Sequence, residues 1–273
     1  MFPVLFKLGA FEVRSYGLML ALSFIAGIFL AVHRAKKREI NPNIVMDLSL
    51  VIIISSIVGA RFMYVIFHLD EFKSRWLDTI NPFQSSGEVG ISGMTVIGGL
   101  IFATVASLFY LWVKKQPVLK IVDIMVPSIA LGIFLTRIGC FLNGCCFGRP
   151  GESFTCLIFP SESPAGYTFP NQKIIPTQIY SSLYGLVILL ILLLSEKRYH
   201  RYDGFTFHLF FMLYGFARFI IDFFRYYEDS MVLLQMGSVS ISVNQGISLL
   251  FAFLFGGLLI YNKLKSISLG KKP

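Results

Sequence analysis

Arginines inside long apolar stretches are the first candidates for chemistry in this chain. Arg137 lies in the run ALGIFLTRIGCFLNGCCFGRP, residues 130–150, where an apolar helix breaks into a segment rich in Gly, Asn and Cys. An arginine in hydrocarbon costs at least about 2.5–3.5 kcal/mol, so such a residue normally faces a polar cavity or a partner. The sequence therefore predicts that Arg137 binds an anionic group.

A second group of charges lies in the apolar run FHLFFMLYGFARFIIDFFRYYED. Arg218, Asp222 and Arg225 are spaced i, i+4 and i+7, which places them on one face of a continuous helix. Two interpretations remain open: a polar stripe facing a binding cavity, or a structural Arg–Asp pair with Arg225 reaching to the membrane interface. Arg61, within VGARFMYVIFH, has similar alternatives.

Composition sets the class of protein. The chain has 273 residues, of which 55% are hydrophobic, and its mean hydropathy is +0.71. Ordinary soluble domains do not reach these values, whereas helical membrane proteins do. The net charge of +9 comes largely from Lys and Arg clusters between apolar runs, where such residues determine topology and meet lipid head groups. We therefore expect membrane lipids as partners and no nucleic acid.

Seven apolar runs are long enough to cross a bilayer as helices, which takes about 20 residues. The first run lacks a cleavage site and is followed by its basic cluster, as expected of a permanent span rather than a signal peptide. The sequence thus predicts an all-α polytopic membrane protein with about seven transmembrane helices. The predicted spans lie near residues 16–33, 47–68, 94–113, 119–142, 178–195, 205–225 and 242–262.

The basic residues also predict an orientation, because short cytoplasmic loops are enriched in Lys and Arg. Fourteen follow the odd-numbered spans, whereas seven lie on the other side. We expect the N-terminus outside, the C-terminus in the cytoplasm and external connections at about 69–93 and 143–177. Without a repeat or a linker, residues 1–273 are predicted to form a single membrane domain.

This topology places four arginines in the outer halves of their spans. A planar guanidinium grips phosphate with two hydrogen bonds, which an ammonium group does less well. The head group of a phospholipid is the most available anion at that depth, so we expect it to be bound there. The four are Arg61, Arg137, Arg218 and Arg225.

Two short segments add candidate polar or close-approach positions. GMTVIGGLI, residues 93–101, opens the third span with Gly98 and Gly99, which suit either close lipid approach or helix packing. IIPTQIY, residues 174–180, begins the fifth span at a proline, an ordinary helix start, and its Gln178 and Tyr180 could line a polar cavity.

The four cysteines, Cys140, Cys145, Cys146 and Cys156, have the spacing C-x4-C-C-x9-C. This is not a known zinc pattern and no histidine lies in the segment, so we predict no metal site. A disulfide on an oxidising outer face and buried free thiols remain open alternatives.

Short motifs along nearly the whole chain resemble one family, the prolipoprotein diacylglyceryl transferases of the bacterial inner membrane. Each motif is short, and the resemblance rests on their order, spacing and predicted depth. In chain order they are Tyr16-Gly17-Leu18-Met19, Gly59-Ala60-Arg61, Gly93-Met94 with Gly98-Gly99, Asp123, Arg137-Ile138-Gly139 with Asn143-Gly144 and Gly148-Arg149-Pro150, Pro176-Thr177-Gln178-Ile179-Tyr180, Tyr214-Gly215 with Arg218, Asp222 and Arg225, and Gln245 with Ser248.

The resemblance implies a seven-span enzyme without a cofactor that moves the diacylglyceryl group of phosphatidylglycerol onto the lipobox cysteine of a preprolipoprotein, releasing glycerol phosphate. Arg137 matches the arginine of the family signature, Arg218 the essential arginine of the sixth span, and Tyr16 the tyrosine of the first span. The expected catalytic residues are Arg137, Arg218, Asp222 and Tyr16. The expected head-group ligands are Arg137, Arg61, Asn143, Gly98, Gly99, Gly148, Gln178 and Arg225.

The chain departs from the family pattern at three positions. Ile97 stands where the family often has a histidine before the paired glycines, and Cys140 and Cys145 stand where it commonly has Asn and an acidic residue. No general base is therefore carried over by position. Three alternatives stay open: another lipid donor or acceptor, a cysteine of the chain itself as nucleophile, and lipid binding or transport without chemistry.

Overall fold

The computed structural model describes residues 3–8, 11–72, 93–199, 202–227, 232–236 and 239–268. Long helices dominate this part of the chain and short strands pair between them. The helices are α1 (Ser15–Lys37), α2 (Pro42–Phe67), α3 (Leu69–Phe72), α4 (Val96–Val113), α5 (Val118–Asn143), α6 (Pro164–Thr168), α7 (Thr177–Tyr199), α8 (Phe205–Asp222) and α9 (Val243–Ser268). The strands are β1 (Val4–Leu8), β2 (Phe11–Arg14), β3 (Leu157–Ile158), β4 (Lys173–Ile174), β5 (Val232–Met236) and β6 (Val239–Ser242).

Seven of the described helices are long and apolar enough to cross a membrane, and they are α1, α2, α4, α5, α7, α8 and α9. The prediction of seven apolar spans and an all-α membrane fold is confirmed. The predicted orientation of the termini stays a prediction. The strands form three separate two-stranded sheets, β1–β2, β3–β4 and β5–β6.

The chain divides into two compact units, and each is described by itself. One contains Met1–Lys7, Glu12–Ala31 and Val122–Pro273; the other contains Leu8–Phe11 and Val32–Ile121. The single membrane domain over residues 1–273 stays a prediction. Residues 73–92, most of the predicted connection 69–93, lie outside the described residues, whereas the connection 143–177 is described and contains β3, α6 and β4.

In the first unit, α5, α7 and α8 share an apolar core that includes Val126, Ala130, Leu192 and Phe210. Asp123, fully buried near the start of α5, accepts hydrogen bonds from the backbone N–H groups of Gly204 and Phe207 at 2.7 and 2.8 Å. A carboxylate on the free N–H groups of a helix start stabilises that helix. Asp123 therefore ties α5 to the first turn of α8.

The entry into α9 is capped by a reciprocal pair. The backbone N–H of Gln245 donates to Ser242 Oγ at 3.1 Å, and the backbone N–H of Ser242 donates to Gln245 Oε1 at 2.8 Å. This arrangement satisfies two donors that have no partner within the helix. It accounts for the Gln245 of the sequence motif through helix capping.

In the second unit, α2 and α4 approach closely through glycines. A Cβ at Gly98 would meet Cβ of Met63 at 2.6 Å, and one at Gly99 would meet the Ser56 carbonyl oxygen at 3.0 Å. Small residues let membrane helices pack closely. Helix packing thus accounts for both glycines, and their predicted contact with lipid stays a prediction.

Candidate functional site

The site begins where α5 ends. Gly144 has φ +75°, and its N–H donates to the Phe141 carbonyl at 3.2 Å, while the N–H of Cys145 donates to the Cys140 carbonyl at 3.1 Å. A glycine in this left-handed conformation ends a helix and satisfies its last carbonyl groups. The turn brings Cys145 back beside Cys140.

Hydrogen bonds from the start of α7 hold the loop that follows. Gln178 Nε2 donates to the Cys145 carbonyl at 2.8 Å, and Thr177 Oγ1 donates to the Cys146 carbonyl at 3.0 Å. Gln178 is fully buried, and its Oε1 has no hydrogen-bond partner among the described residues. Gln178 therefore positions the cysteine loop, and its predicted role as a head-group ligand stays a prediction.

Gly148 lies where the loop passes between two other backbones. Its N–H donates to the Ile175 carbonyl at 3.0 Å, and a Cβ at this position would lie 2.6 Å from the carbonyl oxygens of both Ile175 and Phe224. Only glycine fits without moving one of these segments. The geometry accounts for Gly148 by close packing, while direct lipid contact by this residue stays a prediction.

Arg137, on the last turns of α5, lines a cavity of about 230 Å³. Its guanidinium makes no hydrogen bond or ion pair with another residue in the part of the chain that the structure describes. Ser182 also faces the cavity, but its hydroxyl donates to the Phe134 carbonyl at 2.9 Å. The other lining residues are apolar: Phe134, Ile138, Phe141, Ile179 and Leu183.

Several polar side chains lie near Arg137. Tyr184 and Cys146 are within electrostatic range of it. Tyr16 is within range of Arg137 as well, and α1 passes close to α5 here, since a Cβ at Gly139 would lie 3.4 Å from Tyr16 Cα. The structure thus brings the predicted residues Tyr16 and Arg137 together.

Arg218 and Asp222 form an ion pair one helical turn apart on α8, with Arg218 Nη1 3.2 Å from Asp222 Oδ1. Tyr227 joins both: Arg218 Nη2 donates to its hydroxyl at 2.7 Å, and the hydroxyl donates to Asp222 Oδ1 at 2.9 Å. The Asp222 side chain is fully buried and that of Arg218 is 12% exposed. The structure therefore contains the Arg–Asp pair of the structural interpretation and adds a tyrosine to it.

The prediction that Arg225 shares a helical face with Arg218 and Asp222 is wrong. The helix α8 ends at Asp222, and Arg225 forms a backbone bridge with Gly148. Its guanidinium carbon lies 5.1 Å from the ring centre of Tyr227. The chain leaves the helix because the loop after α5 pairs with residues 224 and 225, including a bond from the Arg149 N–H to the Phe224 carbonyl at 2.9 Å.

Three arginines of this unit nevertheless lie near shared neighbours. Tyr184 interacts electrostatically with Arg137 and Arg218, and Cys146 interacts with Arg137 and Arg225. Partly buried positive charges of this kind attract an anion.

All four cysteines are free thiols. The sulfur atoms of Cys140, Cys145 and Cys146 lie within 4.8 Å of one another, and Asn143 contacts the Cys145 side chain. Hydrogen bonds from Cys140 and Cys145, together with the charges of Arg137 and Arg225, lower the pKa of the Cys146 thiol. Of the two alternatives for the cysteines, the structure has free thiols rather than a disulfide.

Arg61 belongs to the other unit. It is buried, its Nη1 donates to the Gly93 carbonyl at 3.1 Å, and its guanidinium carbon lies 5.1 Å from the ring centre of Phe72. A carbonyl and an aromatic ring thus stabilise its charge. Its head-group role stays a prediction.

Sequence reasoning missed Tyr227 and Tyr184. Tyr227 follows the end of α8, where helical periodicity gives no information. Tyr184 follows Tyr180 by four residues in α7, so that spacing was an available signal.

Comparison with known proteins gives one consistent result. The family model of the prolipoprotein diacylglyceryl transferases matches residues 3–261. A phosphatidylglycerol–prolipoprotein diacylglyceryl transferase of Clostridium tetani is 33% identical over 223 residues, which are 82% of this chain and 85% of that protein. A second, phosphatidylglycerol–prolipoprotein diacylglyceryl transferase 2 of Clostridium perfringens, is 32% identical over 260 residues, 95% of this chain and 94% of that protein. The sequence resemblance is confirmed, and the chain belongs to the prolipoprotein diacylglyceryl transferase family.

Proposed function

We propose that this protein transfers the diacylglyceryl group of phosphatidylglycerol to the lipobox cysteine of preprolipoproteins and releases glycerol phosphate. The observation that carries the proposal, beside the family match over residues 3–261, is that Arg137 lines an otherwise apolar cavity. Such a wall matches a phospholipid, which joins an anionic phosphate to apolar chains. In this proposal the cavity of about 230 Å³ takes up part of an acyl chain beside the glycerol, and the rest of the lipid extends into the bilayer.

The reaction needs a nucleophile and a stabilised leaving group. The substrate thiolate attacks the diacylglyceryl carbon that bears the phosphate ester; the C–S bond forms, the C–O bond breaks, and its electron pair leaves with glycerol phosphate. A cysteine thiol has a pKa of about 8.5, which neighbouring cations lower, and the thiolate is the reactive form. In this proposal Arg137, Arg218 and Arg225 stabilise the charge that develops on the phosphate.

The remaining predicted residues have supporting roles. Asp222 orients Arg218 through the 3.2 Å ion pair. Tyr16 and Asn143 border the same region from α1 and from the end of α5. Ile97 stands at the position where the family often has histidine, so in this proposal the thiol loses its proton to water before the attack.

We place the protein in the bacterial inner membrane with its N-terminus outside. The support is the excess of basic residues after the odd-numbered spans. In this orientation the end of α5 and the start of α7 lie toward the outer leaflet, which is where the signal peptide of an exported protein presents its cysteine.

The test is an assay with phosphatidylglycerol labelled in its acyl chains and a lipobox peptide, with the same peptide carrying Cys→Ser as control. Label on the cysteine peptide alone, with release of glycerol phosphate, is the expected result. Folded protein that transfers no label refutes the proposal. If label moves only from a different phospholipid, that phospholipid is the donor instead of phosphatidylglycerol.

A variant series tests the role of Arg137 in the same assay. Loss of a group that stabilises transition-state charge costs about 10²–10³-fold in rate, so we expect that loss in Arg137→Ala and a smaller one in Arg137→Lys, which keeps the charge but not the planar pair of donors. Arg14→Ala is the control, since the Arg14 side chain is 70% exposed. Wild-type turnover by Arg137→Ala would remove Arg137 from the mechanism.

A further inference from the structure

The thiol cluster of Cys140, Cys145 and Cys146 is a structural feature that the transfer reaction does not use. Its three sulfur atoms lie within 4.8 Å of one another. Cys140 is buried, while Cys145 and Cys146 are partly exposed, so the cluster has a closed base and an accessible side. Cys156 is also buried but does not belong to this group.

The spacing of these sulfur atoms matches the reach of one metal ion. Three sulfur atoms around an ion in one plane, at a bond length of about 2.3 Å, lie about 4.0 Å from one another. The upper limit of 4.8 Å in the structure therefore leaves less than 1 Å of movement for side chains to close on an ion. Rotation about the Cα–Cβ bond supplies a movement of this size without a change in the backbone.

The surrounding backbone holds the three cysteines in place. Cys140 is on α5, the helix cap at Gly144 directs Cys145 back over it, and Cys146 has φ +58°. Gln178 holds the Cys145 carbonyl at 2.8 Å. Ligands that are positioned before the ion arrives lose less conformational freedom when they bind it.

The charge of the surroundings suits three thiolates with a single cation. Thiolates select soft ions, among them Cu(I) and Zn(II). Zinc sites in proteins are almost always four-coordinate, whereas this group has three ligands among the described residues. Three thiolates with Cu(I) carry a net charge of −2, and Arg137 and Arg225 are both within electrostatic range of Cys146.

We propose that Cys140, Cys145 and Cys146 form a three-thiolate binding site for Cu(I) at the end of α5. The site differs from the expectation of no metal, which rested on spacing in the sequence. Spacing could not show that the helix cap folds Cys145 and Cys146 back onto Cys140. The three thiols supply all the ligands, and the proposal does not rest on the transfer reaction, although the site lies near Arg137 and Arg225.

The test is a titration of the full chain in detergent, with its thiols reduced and without oxygen, using Cu(I) in competition with a coloured Cu(I) chelator. We expect one Cu(I) per chain for the wild type. Cys146→Ser and Cys145→Ser should each lose at least about tenfold in affinity, since changes even outside the metal ligands cost 10- to 100-fold. Cys156→Ser is the matched control and should bind like the wild type.

Thermal unfolding of each variant in the same detergent verifies that it is folded. Equal Cu(I) binding by the wild type and by both folded cluster variants refutes the site, as does the absence of binding by the wild type. Thiol blocking in intact membranes gives a third result: a disulfide between two of the three cysteines would show that they serve as a redox pair and would also overturn the proposal.

Discussion

Replacing Tyr227 by phenylalanine removes one hydroxyl from the centre of the Arg218–Asp222 pair. That hydroxyl accepts from Arg218 Nη2 at 2.7 Å and donates to Asp222 Oδ1 at 2.9 Å. The hydroxyl therefore orients the guanidinium of Arg218 and supplies one of the hydrogen bonds of the Asp222 carboxylate. We expect Tyr227→Phe to lower both the stability of the protein and the transfer activity in which we propose that Arg218 takes part.

The size of the effect follows from the contacts. A hydrogen bond to a charged group contributes about 1.5–3 kcal/mol, and Tyr227 makes two. Asp222 keeps its ion pair with Arg218, and Tyr227 is only half-buried, so water can replace part of what is lost. We expect the free energy of unfolding to fall by the contribution of one such bond, about 1.5–3 kcal/mol. The same free energy limits the loss in kcat/KM to about 10- to 150-fold.

Tyr226→Phe is the matched control, because it makes the same chemical change one residue away. The Tyr226 ring stacks on Phe147 and meets the edge of Phe169, and the substitution keeps both contacts. Unfolding in detergent and transfer of labelled lipid, measured at a temperature where all variants are folded, compare the two. If Tyr227→Phe behaves like Tyr226→Phe in both measurements, the hydroxyl does not position Arg218.

The pH dependence provides a further check on the same contact. Burial raises the pKa of Tyr227, although the charges of Arg218 and Arg225 oppose this. Above about pH 10, where an unfolded chain loses the tyrosine proton, the folded chain still holds it, so stability falls as the pH rises. The stability difference between wild type and Tyr227→Phe should therefore be full below pH 10 and shrink above it. A difference that stays constant would contradict the raised pKa.

Two further substitutions test the framework of the site by thermal unfolding. Gly148→Ala should destabilise the protein by about 1–3 kcal/mol, since a Cβ would lie 2.6 Å from two carbonyl oxygens. Gly132→Ala is the control: a Cβ there has no atom within 4 Å, so the change should be neutral or stabilise by up to about 1 kcal/mol. Equal effects of the two substitutions would contradict the packing argument. Asp123→Ala should cost about 1–3 kcal/mol by removing both acceptors from the start of α8, and Asp123→Asn, which keeps one acceptor oxygen, should cost less. An Asp123→Ala protein as stable as the wild type would contradict that role.

The helices of this protein are predictable from sequence because lipid imposes a simple rule. A spanning segment must satisfy its own backbone hydrogen bonds and needs about 20 apolar residues, and all seven predicted spans appear as helices. The rule says nothing about where a helix ends near the interface. For this reason the span predicted over 205–225 ends at Asp222 instead, and Arg225 leaves the face on which periodicity had placed it.

Sequence patterns did not predict contacts between distant parts of the chain. The partnership of Tyr227 with Arg218 depends on the turn after α8, and the grouping of Cys140 with Cys146 depends on the left-handed φ of Gly144. Arg137 was predictable because a charge in an apolar run needs a reason to be there. Gly148 and Gln178 were also predicted to belong to the site. In the structure, close backbone packing explains Gly148, and a hydrogen bond to the Cys145 carbonyl explains Gln178.

These contacts make the loop after α5 a rigid part of the site. Its backbone is bonded at Cys145 to the start of α7, through Gln178, and at Arg149 to the Phe224 carbonyl, just beyond α8. The loop is thus one continuous connection from the helix of Arg137 to the turn that carries Arg225, and its hydrogen bonds hold both segments in place. Two guanidinium groups held in this way repel each other in the absence of a ligand. In the proposed function a bound phosphate would relieve that repulsion, so we expect the backbone network to favour binding of an anion between the two arginines.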